Sequence, residues 1–171
     1  MITRTALFAV ILIGCSLAEC HVSQVAAQTA IPDAIATKGE TVALTVHAEG
    51  AQVYDCKAGD GGKLAWQFRE PVATLIQDGK TVGRHYAGPT WEHADGSRVA
   101  GKPVARANGA TQKDIPWLKL EVVDTRGTGA LAAVTTIQRI NTQGGQIEGA
   151  CEKAGATLAA PYAADYVFLK K

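Results

Sequence analysis

The sequence of 171 residues has almost no net charge, few aromatic side chains and only one long apolar run. Seventeen basic and sixteen acidic residues leave a formal charge of +1, which gives no bias toward nucleic acids or other polyanions. The single apolar run, residues 6–18, is too little for a polytopic membrane protein. Thirty alanines and 18 glycines accompany the ten aromatic residues, a composition that excludes a disordered polar chain, a collagen-like repeat and a coiled coil.

Several motifs that define enzyme classes are also missing. The chain contains no Gly-x-Ser-x-Gly nucleophile elbow, and residues 59–63 lack the spacing and the Ser or Thr of a phosphate loop. No cysteine or histidine pair shows a recognised metal-ligand spacing, and the basic residues are scattered among acidic ones. The sequence therefore predicts no cofactor and no nucleic-acid partner.

The N-terminus predicts export to the periplasm or the extracellular space. One arginine precedes the apolar run, which is short for a bilayer span, as in a secretory signal. Small residues before Gln28 predict a signal peptide of residues 1–27 and a single mature domain of residues 28–171. Alternatively, the sequence before Cys15 resembles a lipobox, with residues 1–14 removed and Cys15 lipidated. In that case the only membrane contact expected is an N-terminal lipid anchor.

The cysteine count predicts one disulfide bond. Cleavage after Ala27 would remove two of the four cysteines and leave Cys56 and Cys151. An oxidising compartment favours a bridge between them over two free buried thiols. The bridge would close a loop of about 95 residues, which the chain-entropy relation values at roughly 4–5 kcal/mol.

Short runs of alternating apolar residues, separated by Gly, Pro, Asp and Asn, predict an all-β domain. The fold expected is an antiparallel β-sandwich or a small β-barrel with Gly-rich turns, and periodicity does not separate the two. One or two short helical turns are expected at most, at 108–114 and 148–155. Predicted strand runs lie at 42–46, 53–56, 64–68 (ending at Pro71), 117–123, 134–140 and 162–169.

Two Asp-Gly pairs between apolar runs predict β-hairpins with two-residue loops. Such loops also fix the register on either side. At Asp78-Gly79 the expected pairs are Leu75 with Val82 and Val72 with His85; at Asp95-Gly96 they are Glu92 with Val99 and His93 with Arg98.

Many ordered elements of the chain resemble one family. They are Gln52-x-Tyr54-x-Cys56, Trp66-x-Phe68, the run from His85 to Glu92, Asp95-Gly96-Ser97, Pro116-Trp117-Leu118, the run from Ile137 to Thr142, and Pro161-Tyr162. Together they resemble the domain-of-unknown-function family numbered 3455, over residues 31–168. The resemblance implies an exported protein of a bacterial or fungal type without an established activity. It supplies no catalytic residues.

The segment 85–97 holds the densest cluster of reactive side chains, which raises the hypothesis of a glycan or ester hydrolase. Glu92 beside a tryptophan would be the acid or base, assisted by Asp95 or His85. Two expectations oppose this. Asp95 in a turn is expected to cap the turn backbone, and Glu92 is expected to project away from Trp91 on the opposite face of the strand.

A second alternative is a periplasmic metal-binding protein. His85 and His93 are eight residues apart with a Gly-Pro bend between them, so their rings could approach one another. A site would need about three converging ligands, and the sequence offers no recognised motif for them.

The preferred hypothesis is a non-catalytic binding module. Trp91 and Tyr86 flank the Gly-Pro bend and are the expected partly exposed aromatic contacts, with Arg84 and Arg98 beside them. The other tryptophans and tyrosines are expected to fill the core. The partner would be an unidentified ligand or protein of the cell envelope.

Overall fold

The computed structural model describes residues 30–171. The predicted signal peptide (1–27, or 1–14 in a lipoprotein) and Cys15 lie outside these residues. Within them, no helix is both long and apolar enough to cross a membrane.

Eight antiparallel strands form one sheet that closes on itself, so the all-β prediction is confirmed and the architecture is a barrel. Two 3₁₀ turns, Asp33–Ile35 and Asp60–Gly62, are the helical elements of the described residues. The helical turns predicted at 108–114 and 148–155 are wrong, because both segments form non-helical loops. The strands are β1 Thr41–Ala58, β2 Leu64–Gln77, β3 Lys80–Tyr86, β4 Thr90–His93, β5 Arg98–Ala107, β6 Trp117–Arg126, β7 Thr136–Gly144 and β8 Thr157–Lys170.

Closure depends on the pairing of β1 with β8 along almost their whole lengths, from Thr41 opposite Lys170 to Asp55 opposite Thr157. The two runs predicted at 42–46 and 53–56 are therefore parts of one strand of 18 residues. Gly50 lies in its middle, where a Cβ atom would stand 2.0 Å from the carbonyl oxygen of Val72. Glycine permits this close approach of β1 to β2.

β-bulges shift the registers that the hairpin sequences predict. At Asp78-Gly79 the two-residue loop is present, with positive φ at both residues, as a type I′ turn requires. A bulge then places Leu75 opposite Gly83 and Ala73 opposite His85, so the predicted pairs with Val82 and Val72 are wrong. The extra residue in β3 increases the local twist, which a closed barrel needs.

The second hairpin has a three-residue loop instead of the predicted two-residue loop. Trp91 pairs with Val99 and Glu92 with Arg98, so the predicted pairing is wrong by one residue. Gly96, at φ 87°, donates its N–H to the carbonyl of His93, as in a type I turn closed by a glycine bulge. Gly96 is the last residue of the turn and not its second central residue. The loop is therefore one residue longer than predicted.

The barrel wall has a notch, because β3 and β4 are shorter than their neighbours. β2 pairs with β3 only from Ala73, and β5 pairs with β4 only as far as Ala100, although both strands extend further on their other sides. Pro71 and Pro103 lie on these open edges, where a missing N–H breaks no ladder. β2 consequently runs through Pro71, and the strand end predicted there is wrong.

The interior is packed at one end of the barrel and open at the other. The packed end holds the apolar residues of alternate strand positions, among them Val46, Leu75, Val99, Ile137 and Phe168. The N-terminal segment lies on the outside of the wall, where Ile35 packs with Trp117 and Ile140. Gln138 fixes it by donating Nε2–H to the carbonyl of Ile35 at 2.7 Å.

The predicted disulfide bond is confirmed. Cys56 of β1 is joined to Cys151, with Cα atoms 5.8 Å apart and a sequence separation of 95. Cys151 belongs to the long connection 145–156 between β7 and β8. The bond therefore fastens this connection to the barrel wall.

Replacement of Gly50 by alanine should reduce the free energy of unfolding by more than about 3 kcal/mol, because the new methyl group would force β1 away from β2. Urea unfolding measures this. Gly59→Ala is the matched control: its backbone has φ −89° and its Cβ would make only ordinary contacts, so stability should hardly change. Equal effects of the two changes would contradict the packing described for Gly50.

Loss of the disulfide in a Cys56→Ala/Cys151→Ala variant should reduce the free energy of unfolding by about 4 kcal/mol, since the unfolded chain gains freedom. Reductant should lower the urea midpoint of the native protein and leave that of the double variant unchanged. An unchanged midpoint of the native protein on reduction would contradict the prediction.

Candidate functional site

The open end of the barrel contains a cavity of about 540 Å³. It lies where the odd-to-even strand connections meet, and residues from all eight strands contribute to its wall. The loop residues Ile115 and Pro116 between β5 and β6, and Gln146 and Ile147 between β7 and β8, lie over it. This volume is within the range of small-molecule sites, roughly 300–1,000 Å³.

Three aromatic rings in mutual contact form the inner wall of the cavity. His85 and Trp91 lie parallel, with ring centroids 4.4 Å apart, and Tyr166 meets both edge-on at 5.1 and 5.2 Å. β3 and β4 bring the first two rings together because His85 and Trp91 are directly opposite in register. The result is a rigid aromatic surface at the boundary between the packed core and the cavity.

His85 is neutral in this setting. Burial lowers its pKa to about 3, because the charged imidazolium would lose its hydration. Its Nδ1–H donates to the carbonyl oxygen of Thr90 at 2.8 Å, which fixes the ring orientation. At neutral pH His85 therefore contributes an aromatic surface to the site and no charge.

Two buried nitrogen atoms at the cavity have no hydrogen-bond acceptor among residues 30–171. They are Nε1 of Trp91, whose side chain is 1% exposed, and Nε2 of Gln52, whose side chain is 2% exposed. Both residues line the cavity. A buried donor without an acceptor costs about 1–3 kcal/mol, so the site is poised for an occupant that supplies acceptors.

Arg139 brings a positive charge into the cavity wall. It lies on β7 between Leu118 and Tyr166 in register, both of which face the interior. Its Nε and Nη2 donate to the carbonyl oxygen of Pro116, at 3.1 and 2.7 Å. This carbonyl orients the guanidinium but does not neutralise it.

The rim of the cavity is apolar and in part exposed. Phe68 is 54% exposed and packs edge-on against Tyr54, with ring centroids 5.7 Å apart. Tyr54 in turn donates its hydroxyl to the carbonyl of Gly145 at 2.7 Å, which ties the β7–β8 connection to β1. Burial raises the pKa of Tyr54, so it remains a protonated donor.

The structure divides the four predicted binding residues between two sides of the wall. Arg84, Tyr86 and Arg98 lie outside, where Arg84 and the Tyr86 hydroxyl both donate to the carboxylate of Glu92 at 2.9–3.1 Å. Arg98 pairs with Asp124 at 3.2 Å. Trp91 lies inside, and the exposure predicted for it is wrong because it occupies an inward position of β4. Whether the outer three bind a partner stays a prediction.

The hydrolytic arrangement is not assembled from the residues predicted for it. Glu92 and His85 point to opposite sides of the sheet, as alternation from Trp91 requires. The neighbouring Arg84 and Tyr86 hold the pKa of Glu92 below its usual range. Asp95 accepts from the backbone N–H of Ser97 and Ala130, both at 2.8 Å, so its predicted role as a turn cap is confirmed.

The two histidines proposed as metal ligands are already engaged elsewhere. His85 contacts Thr90, as described, and Nδ1 of His93 lies 3.0 Å from the carboxylate of Asp95. In the part of the chain that the structure describes, no three His, Cys, Asp or Glu side chains are grouped to hold one ion. The geometry thus gives the metal hypothesis no support.

Gln52 and Arg139 are the site residues that sequence analysis missed. Both stand in runs that were used only to identify the family. A usable signal exists for Gln52, which follows Val46 and Ala48 on the inward positions of one strand and is a polar residue on an apolar face. Arg139 is likewise a polar residue on the inward face of β7, two positions after the buried Ile137. Strand registers were needed to show that the two face one cavity.

Asp95→Asn should lower the midpoint of thermal unfolding by about 5 °C at pH 7, because the anion clamps the β4–β5 turn to the loop before Leu131. The backbone N–H of Ala130 and then Ser97 hold the pKa of Asp95 below its unfolded value. The stability it adds is therefore complete above about pH 4 and is lost as pH falls further.

The difference between Asp95→Asn and the native protein should consequently shrink in acid. Asp124→Asn, at an exposed ion pair, is the control and should have little effect at either pH. A difference between Asp95→Asn and native protein that stays constant from pH 7 to pH 3 would contradict the assignment.

Comparison with known proteins leads to a single family. No curated protein and no solved structure matches the chain. One family model, described as "Protein of unknown function (DUF3455)", matches residues 36–170. This span begins shortly before β1 and ends with β8, so it covers the whole barrel, and it confirms the resemblance found in the sequence. The chain belongs to this family of proteins of unknown function.

Proposed function

We propose that this protein is a non-catalytic binding protein that holds one small, largely apolar molecule inside its barrel. The observation that carries the proposal is the cavity of about 540 Å³ with two buried N–H donors, Trp91 Nε1 and Gln52 Nε2, that lack protein acceptors. An eight-stranded barrel is just wide enough to enclose one small ligand.

The shape of the cavity supports binding of a small molecule over binding of a protein surface. Its deepest part is the rigid aromatic wall of His85, Trp91 and Tyr166, and its rim is the exposed ring of Phe68. The notch between β2 and β5 gives an entry route along Pro71 and Pro103, which both line the cavity. A concave apolar site with a few convergent polar groups is typical of ligand pockets.

We also propose that the protein works outside the cytoplasm. The Cys56–Cys151 bond supports this, because disulfides persist in oxidising compartments. The signal peptide predicted at residues 1–27, in which one arginine precedes an apolar run, agrees with a location outside the cytoplasm. A ligand of the cell envelope or its surroundings is then the expected cargo.

A neutral apolar fluorophore, N-phenyl-1-naphthylamine, tests the binding function without a charge. We expect saturable fluorescence enhancement with one site per protein. Leu118→Trp would fill part of the cavity and should weaken the affinity at least about tenfold, a loss of roughly 1.4 kcal/mol. Equilibrium titration measures both.

The matched control makes the same substitution on the same strand with the opposite orientation. Val123→Trp adds an indole on the outer surface, where Val123 is already exposed, and should leave the affinity unchanged. No saturable enhancement in the native protein, or equal losses in both variants, would refute binding in the cavity.

A further inference from the structure

The chemistry of the cavity wall is one-sided: it offers hydrogen-bond donors and positive charge. Trp91 Nε1 can only donate, and Gln52 Nε2 lies buried beside the same cavity without an acceptor in residues 30–171. Arg139 can likewise only donate. A ligand that satisfies these three groups must carry hydrogen-bond acceptors.

Arg139 also lacks a counter-ion within the described residues. No Asp or Glu of residues 30–171 lies within ion-pair distance of its guanidinium, and the groups to which it donates, the Pro116 carbonyl and the Tyr166 hydroxyl, are uncharged. The cavity lining itself contains no acidic residue. The second arginine of the lining, Arg69, is paired with Asp55 and Glu70 at 3.0 and 2.9 Å. The uncompensated charge of the cavity is therefore that of Arg139 alone.

The field of this charge reaches the interior side chains around the cavity. Burial raises the pKa of Tyr54 and Tyr166, and the positive charge of Arg139 opposes that rise. The same charge adds to burial in lowering the pKa of His85. All three residues line the cavity, so the charge is directed into it. An anion there would interact with Arg139 at reduced solvent screening.

We propose, resting on the binding function above, that the ligand is an amphiphile with a single carboxylate, held through that carboxylate by Arg139, Trp91 and Gln52. The apolar body of the ligand lies along the aromatic rings and extends toward Phe68 at the rim. The planar guanidinium matches a carboxylate geometrically.

Charge balance favours a monoanion. One uncompensated arginine neutralises one negative charge, whereas a phosphomonoester dianion would leave a net charge in a largely apolar cavity, at a high desolvation cost. A neutral alcohol of the same length would fill the same volume but leave Arg139 without a counter-ion. The site should therefore bind the carboxylate in preference to the alcohol of the same length because of its charge.

Competition against N-phenyl-1-naphthylamine with decanoate and decan-1-ol at pH 7.5 tests the proposal. We expect decanoate to bind the native protein at least about tenfold more tightly than decan-1-ol. Arg139→Gln should abolish this preference while still binding the neutral fluorophore, and Arg139→Lys should keep part of it. Arg126→Gln, an exposed arginine at the far end of the barrel, should keep it in full.

Trp91→Phe provides a second variant that keeps an aromatic ring and removes the N–H together with the fused five-membered ring. It should weaken decanoate by a larger factor than decan-1-ol, because the N–H bonds a carboxylate more strongly than a neutral hydroxyl. The proposal therefore stays testable if Arg139→Gln does not fold. Equal affinities of the acid and the alcohol for the native protein would overturn the carboxylate assignment and leave the binding function intact. Absence of fluorophore binding would instead refute the binding function itself.

Discussion

Closure of the sheet by the β1–β8 pairing is the constraint on which the rest of the structure depends. β1 and β8, the first and last strands, pair with each other from Thr41–Lys170 to Asp55–Thr157. Neither strand therefore has a free edge along this pairing. Closure divides every strand position into inside and outside. It thereby decides that Trp91 and His85 face the cavity while Glu92 and Arg84, one residue away from each, face solvent.

A closed barrel of eight strands has an interior that side chains can fill, and here they fill only one end. Phe168 and Ile137 occupy the packed end, whereas the other end keeps polar groups whose hydrogen bonds are incomplete. Such groups cost stability, and an apolar replacement at Gln52 or Arg139 would pack without that cost. This loss of stability is expected in a binding site, because the bound ligand supplies the missing acceptors.

The sequence contained enough to establish the strand-rich fold, the type I′ turn at Asp78-Gly79 and the disulfide, because each of these depends on local chemistry or on counting. It did not distinguish a barrel from a sandwich, since closure is a contact between the two ends of the domain. The bulge after Leu75 was equally invisible, because one extra residue leaves the apolar alternation nearly unchanged. The exposure expected for Trp91 rested on its position beside the Gly-Pro bend, whereas its orientation follows from its inward place in β4, so the cavity was missed with it.

The notch in the wall has a consequence for how the molecule behaves among its own copies. The opening exposes the borders of β2 and β5 only in part, because residues 64–66 pair with residues 149–151 and the N–H of Gly101 donates to the carbonyl of Pro89. The unpaired parts of such borders can pair with strands of other chains and lead to aggregation. Pro71 and Pro103 stand on these borders, and a proline offers no amide hydrogen to an incoming strand. The barrel wall can thus keep an opening between β2 and β5 without promoting aggregation of the protein through strand pairing.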